Sequence, residues 1–176
     1  MGEIKSTLDL VMERTRHLTL SDDEKRRQRR EEGSRRLAGL VQHYADGALT
    51  AAKVHDATQK LGAELGFDAS ADLIKAAVER IDLDGENSLW LEMLRVSGSD
   101  ELLSGVETAI GDYLRASEDL NAGQREAARL RLLAGGIGGT AVSPNPEANP
   151  EWRSAGERLR LDYASRLTGL IPKGAD

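Results

Sequence analysis

Apolar residues recur along most of the chain at steps of three and four, the spacing that places side chains on one face of an α-helix. The first such stripe contains Ile4, Leu8, Val11, Thr15 and Leu18. It predicts an amphipathic helix near the start of the chain. We expect its apolar face to be buried against another helix.

A second helix is predicted from the polar residues that follow. Ser21 and Glu24 have the spacing of a capping box, in which a hydroxyl and a carboxylate satisfy free amide groups at a helix start. The segment becomes apolar only in its second half, at Leu37, Leu40, Val41 and Tyr44. Asp46 and Gly47 end it, and Gly33 is expected to weaken its middle.

Three shorter helices are predicted next. They cover Thr50–Leu65, Ala69–Ile81 and a segment that starts at Asn87 or Ser88 and contains Leu94. Gly66 is expected to end the first of them, because helices commonly end at a glycine in the left-handed conformation. The sequence DLDGEN, residues 82–87, is expected to form the turn that ends the second.

The longest apolar stripe has alternating steps of three and four. It contains Leu103, Val106, Ile110, Tyr113 and Leu120. Asn121 and Gln124 then match the capping-box pattern a second time, which predicts a new helix from there to Leu133.

A glycine- and proline-rich segment follows, and its texture predicts a loop or linker over residues 135–149. Its GGIGGT cluster lacks the lysine, the preceding strand and the following helix of a phosphate-binding loop, so we interpret it as a hinge. Asn149 followed by Pro150 is a strong helix-start signal and predicts a final amphipathic helix that contains Trp152.

The composition favours helices throughout. The chain has 176 residues, of which 39% are hydrophobic and only 3% aromatic, so the interior must consist of aliphatic side chains. We expect an all-α fold of six to eight helices in an irregular bundle. The absence of cysteine excludes disulfides, thiolate metal sites and cysteine nucleophiles.

Four segments are expected in the domain organisation. Residues 1–47 form a pair of N-terminal helices, which can extend away from a helical body at residues 48–134. Residues 135–149 form the loop, and residues 150–176 form a C-terminal helix that packs on the body or on a partner.

Six arginines are clustered within KRRQRREEGSRR, residues 25–36. They are Arg26, Arg27, Arg29, Arg30, Arg35 and Arg36. The preferred interpretation is a solvated helix surface, because acidic residues occur at pairing distance along the helix, as in Asp22–Arg26, Asp23–Arg27, Arg27–Glu31, Glu31–Arg35 and Glu32–Arg36. A surface for a partner protein or acidic ligand is one alternative, and a nucleic-acid surface is the other, although the net charge of −6 opposes it.

No set of residues predicts catalysis, a metal or a cofactor. The DLDGEN segment has oxygen ligands, but its glycine is fourth rather than sixth, and Met93 occupies the place of the glutamate that completes a calcium loop. His17, His43 and His55 are scattered. We therefore assign no catalytic residue, no metal ligand and no cofactor.

The N-terminal stretch EIKSTLDLVMERTRHLTLSDDEK, residues 3–25, resembles the N-terminal signature of a group of small, uncharacterised bacterial helical proteins. That group has no assigned function, so the resemblance implies only a bacterial cytoplasmic protein. The start of the chain lacks the pattern of a secretory signal, and no apolar stretch is long enough to cross a membrane, which agrees with a cytoplasmic location.

The leading functional hypothesis is a non-enzymatic scaffold or interaction protein that binds another copy of itself or another helical protein. Its expected interaction residues are Ile4, Leu8, Val11, Leu18, Leu103, Val106, Ile110, Tyr113 and Trp152, because a 3.5-residue apolar rhythm is typical of pairing helices. A nucleic-acid-associated regulator that uses the six arginines is the alternative. A small-ligand-binding or enzymatic helical domain is the third hypothesis, without identifiable catalytic residues.

Overall fold

Six α-helices and no strands make up the part of the chain that a computed structural model describes, residues 21–139, 143–145 and 149–172. They are α1 (Asp22–Ala45), α2 (Ala51–Leu65), α3 (Ala69–Val78), α4 (Ser88–Ser97), α5 (Asp100–Ala134) and α6 (Pro150–Gly169). The prediction of an all-α fold is confirmed. The helix predicted over Ile4–Leu18 lies outside the described residues.

Several helix ends have the predicted capping structures. At the start of α1, the Ser21 hydroxyl accepts a hydrogen bond from the Glu24 amide, and the Glu24 carboxylate accepts one from the Ser21 amide. These bonds lower the pKa of Glu24. Gly66 ends α2 in the left-handed conformation, with φ of 72°. The Asn149 side chain caps α6 at 2.9 Å from the Glu151 amide.

Helix α3 ends at Val78, three residues before the predicted end at Ile81. The backbone changes its bonding after Val78, since the Arg80 amide donates to the Ala77 carbonyl and the Ile81 amide to the Val78 carbonyl, each three residues back. The Asn87 oxygen then accepts from the Asp82 amide at 2.9 Å, and the Asn87 nitrogen donates to the Asp82 carbonyl at 2.7 Å. These two bonds close the turn between α3 and α4.

The prediction of two helices over residues 100–134 is wrong. Helix α5 runs without interruption for 35 residues, and Asn121 and Gln124 lie inside it. The capping-box pattern starts a helix only where backbone amides are free, and the amides here are already bonded within a helix. The Asn121 side chain instead accepts a hydrogen bond from the Trp152 indole at 2.8 Å.

A single apolar core includes residues from every helix. Helix α1 packs against α2 and α3, and α4 packs against α2, α3 and α5. The most buried side chains include Val41, Val54, Leu73, Met93, Leu94 and Val106. The prediction that the N-terminal helices extend away from the body is wrong for the second half of α1, because Leu37, Val41 and Tyr44 are part of this core.

Helices α5 and α6 form an antiparallel pair that is anchored to the 82–84 turn. Tyr113 on α5 contacts Tyr163 on α6 edge to face, with ring centroids 5.7 Å apart. The Tyr113 hydroxyl donates to Asp84 at 2.5 Å, and Arg160 lies 3.2 Å from the same carboxylate. The segment considered as a calcium loop therefore serves as an attachment point for the helical pair.

Gly33 allows the loop between α2 and α3 to approach α1 closely. This glycine is buried, and a Cβ atom on it would lie 2.3 Å from a ring carbon of Phe67. The Phe67 ring therefore occupies the space that any other residue at position 33 would fill. The glycine that was expected only to weaken α1 creates a contact between two elements.

Replacing Gly33 with alanine is expected to lower the free energy of unfolding by about 1–3 kcal/mol, the usual cost of overpacking. This loss exceeds the gain of up to about 1 kcal/mol that alanine brings to a helix interior. Gly39→Ala is the matched control, because a methyl group added at Gly39 of the same helix would have nothing within 4 Å, and it is expected to stabilise the protein. Urea unfolding followed by circular dichroism measures both. Equal stability of the two variants would show that Phe67 does not need this space.

Stability is expected to fall as the pH rises from 10 through about 12. Burial raises the pKa of Tyr44 to about 12, with Glu92 adding to the shift, and burial together with Asp84 raises the pKa of Tyr113 to about 12. Each folded-state pKa exceeds the unfolded value of about 10, so the stabilisation is complete below pH 10 and is lost above it. Unfolding free energies of Tyr44→Phe/Tyr113→Phe should fall less steeply across this range than those of the unaltered chain. The same slope in both proteins would contradict the assignment.

Candidate interaction surfaces

The apolar stripe predicted to face a partner chain faces the protein's own core. Val106 is fully buried, Tyr113 is 5% exposed, and Leu103 and Ile110 pack partly buried against the same core. The prediction of a partner interface at these four residues is therefore wrong. Helix α6 folds back along α5 and contributes Tyr163 and Leu167 to the core that buries the stripe.

Trp152 also lies inside the chain. It is 5% exposed, and its indole nitrogen donates to Asn121, so it joins the start of α6 to α5. Its expected role as an interaction residue is not supported by this position. Ile4, Leu8, Val11 and Leu18 lie outside the described residues, and their role stays a prediction.

The last part of α5 extends beyond the contact between Asn121 and Trp152. We call residues 122–134 the projecting segment; at 1.5 Å per residue it is about 20 Å long. None of its residues is buried. Leu130 is 56% exposed and Leu133 is 47% exposed, and Ile137 just after the helix is 54% exposed. This part of α5 carries large apolar side chains that the described residues do not cover.

Small and apolar residues in and next to the projecting segment continue the rhythm of three and four. They are Leu120, Gly123, Ala127, Leu130 and Ala134. All are exposed except Leu120, which is half-buried. This is the heptad spacing of a helix that pairs with another helix along a narrow seam. Glu126 and Arg131 lie on opposite sides of the seam.

A second candidate interaction surface lies on α1. Arg26, Arg27, Arg29 and Arg30 on α1 line an open cleft of about 680 Å³ together with Leu65, Gly66, Phe67 and Asp68 from the end of α2 and the following loop. We call it the arginine cleft. The Arg30 guanidinium lies over the Phe67 ring, 5.3 Å from its centroid, at a distance typical of a cation–π contact.

The arginines of the cleft differ in their ionic partners. Arg30 lies 3.2 Å from Asp72 of α3, and Arg26 pairs with Asp23 of its own helix. Arg27 and Arg29 are exposed and form no ion pair among residues 21–139, 143–145 and 149–172. Two guanidinium groups of the cleft are therefore available to an anionic ligand.

Arg35 and Arg36 do not line the arginine cleft. Arg36 lies 2.6 Å from Glu32 and 3.1 Å from Glu64, contacts that raise its pKa, and Arg35 donates to the Glu31 carbonyl at 3.3 Å. The predicted pair Glu32–Arg36 is confirmed. Asp22 and Asp23 instead pair three residues ahead, with Lys25 and Arg26, so the predicted pairs with Arg26 and Arg27 are wrong.

The described residues contain no group of three or more histidine, cysteine, aspartate or glutamate side chains placed to hold a metal ion. Asp82 and Asp84, the oxygen ligands of the turn, are engaged by Arg160.

The exposed seam at Leu130 and the role of Phe67 in the cleft were not predicted from the sequence, for two different reasons. The exposed Leu130 continues a rhythm that is visible in the sequence, but the pattern was interrupted by the expected helix start at Asn121. The sequence around Phe67 contains no pattern that indicates its role, because this role depends on a contact with Gly33, which is distant in the chain.

Comparison with protein-family models, curated proteins and solved structures finds no match. Within the described ranges, no helix has both the length and the apolar character needed to span a bilayer.

Proposed function

We propose that this protein is a non-enzymatic helical interaction protein that self-associates through the projecting segment of α5. The observation that supports the proposal is the exposure of Leu130 and Leu133 on a helix that extends beyond its own partner helix. Because the segment belongs to a 35-residue helix, it needs little further ordering before it binds. The cytoplasmic location and bacterial origin expected from the sequence stay predictions.

The charges beside the seam favour a second copy in parallel orientation. In a parallel pair in register, Glu126 of each copy faces Arg131 of the other, because flanking positions five residues apart meet across the seam. In an antiparallel pair, Glu126 meets Asp119, Glu126 or Leu133 of the second copy, and none of these is basic. Only the parallel pair therefore matches opposite charges.

Burial of the leucines supplies the affinity, and the ion pairs select the orientation. A fully buried leucine contributes about 1.5–3 kcal/mol, whereas an exposed ion pair contributes at most about 1 kcal/mol. Glu126 already bonds Arg129 of its own helix at 3.0 Å, which reduces its net gain from a new partner. The seam is short, so we expect reversible association with a Kd of about 10 µM or weaker.

Leu130→Glu/Leu133→Glu is expected to abolish self-association, because one carboxylate would be buried in the seam at position 130 and a second would lie at its edge at position 133. Sedimentation velocity from about 10 to about 500 µM should show an increase in average mass for the unaltered chain and a monomer for this variant. Leu161→Glu is the matched control, since Leu161 is 69% exposed on α6, away from the seam. A chain that stays monomeric at every concentration would rule out the proposal.

Deletion of residues 1–20 tests which of the two apolar stripes, the one at Ile4–Leu18 or the one on the projecting segment, forms the interface. The deletion leaves the Ser21–Glu24 capping box and the core residues of α1 in place. We expect the shortened chain to associate like the full one. Loss of association on this deletion would transfer the interface to the stripe of Ile4, Leu8, Val11 and Leu18.

Orientation is testable with one introduced cysteine, because the chain has no other. Ala134→Cys should form a disulfide-linked dimer under mild oxidation, since a parallel pair brings the two copies of position 134 together. An antiparallel pair centred on the seam would separate them by about 20 Å or more. Failure to cross-link at concentrations where the protein associates would contradict the parallel arrangement.

A further inference from the structure

The arginine cleft combines cationic groups, an aromatic ring and open space at one site. Arg27 and Arg29 have no ionic partner among the described residues, and Phe67 forms part of the wall. Guanidinium groups present several N–H donors in a plane and bind phosphate oxygens in a bidentate manner. The volume of about 680 Å³ is within the range of small-molecule sites.

The positive charge that lines the cleft comes from a short length of α1. The cleft arginines occupy residues 26–30, which span about 6 Å along the helix axis. Acidic residues border this stretch on both sides: residues 22–24 precede it, and residues 31 and 32 follow it. A ligand with its negative charge concentrated in one place fits this pattern better than an extended chain of phosphates.

A nucleic-acid strand would meet unfavourable charge on leaving the cleft. Charges interact over a Debye length of about 8 Å at physiological ionic strength, and the acidic residues next to the arginines lie within that distance. The net charge of the whole chain is −6. The field of the protein therefore opposes a polymer while the cleft can still accept a compact anion.

We propose that the arginine cleft binds the polyphosphate group of a small molecule, such as a nucleoside triphosphate, with its organic part against Phe67 and Leu65. Arg27 and Arg29 supply the guanidinium groups that contact the phosphates. Arg30 lies over Phe67 and adds positive charge to the same wall.

Three carboxylates act against this binding. Asp23 pairs with Arg26 and Asp72 with Arg30, while Asp68 lines the cleft and accepts hydrogen bonds from the Ser70 and Ala71 amides as the cap of α3. The Arg26–Asp23 pair is solvent-exposed on both sides, at 77% and 79%, whereas in the other pair the Arg30 side chain is 54% exposed and the Asp72 side chain 25%. Exposed pairs are weak, so phosphate can compete readily for Arg26 and less readily for Arg30.

Calorimetry at low salt tests the proposal with three probes: inorganic tripolyphosphate, ATP and a single-stranded oligonucleotide. The protein is the full chain carrying Leu130→Glu/Leu133→Glu, so that the result does not depend on self-association. We expect tripolyphosphate and ATP to bind, with affinity that falls as salt is added. The oligonucleotide should bind more weakly than ATP.

The double variant Arg27→Gln/Arg29→Gln should weaken ATP binding by about tenfold or more, because each of the two substitutions removes charge-assisted hydrogen bonds. Arg35→Gln is the matched control, since Arg35 is an exposed arginine of the same helix that does not line the cleft. Arg35→Gln should change the affinity for ATP by no more than about twofold. Phe67→Leu should weaken ATP more than tripolyphosphate.

The proposal is overturned if ATP does not bind at low salt, or if Arg27→Gln/Arg29→Gln and Arg35→Gln bind it equally. Tighter binding of the oligonucleotide than of ATP would also overturn it and would favour nucleic acid. Circular dichroism of each variant shows whether the helices are intact, so that a loss of binding is not mistaken for a loss of fold.

Discussion

Helices α1 and α5 are longer than the helices against which they pack, and this mismatch creates both candidate surfaces. A helix continues as long as its own sequence contains no break, whereas burial ends where the neighbouring helix ends. The buried residues of α1 begin only at Gly33, and those of α5 do not extend beyond Tyr113. At 1.5 Å per residue, about 16 Å of α1 precedes Gly33 and about 20 Å of α5 follows its contact with Trp152. The arginine cleft and the projecting segment occupy these two stretches.

Local sequence patterns were sufficient to predict most of the helix ends. The capping box at Ser21, the left-handed Gly66 and the Asn149–Pro150 start depend on the backbone within a few residues, so a single sequence contains the information needed to predict them. The all-α fold followed from the apolar spacing and the few aromatic residues. The same local rule failed at Asn121, because a capping pattern looks identical at a helix start and in a helix interior.

Long-range contacts were not accessible in this way. Arg30 pairs with Asp72 and Arg36 with Glu64, 42 and 28 residues away, whereas helical spacing in a sequence indicates ion pairs only within about one turn. The helix that covers the Leu103–Tyr113 stripe could not be predicted either, since apolar spacing shows that a helix face is buried but not which helix covers it. Here the covering helix is α6 of the same chain.

The side of α1 that faces the core changes its chemistry at Gly33. From Tyr44 back through Val41 and Leu37 to Gly33 this side is buried, and the same helical spacing continues it to Arg30 and Arg26. Both positions lie outside the core, and the arginines there form ion pairs and line the cleft instead of packing against a neighbouring helix. A local departure from the folding pattern is expected where a site is maintained for binding, and this supports the proposal of a ligand beside Phe67.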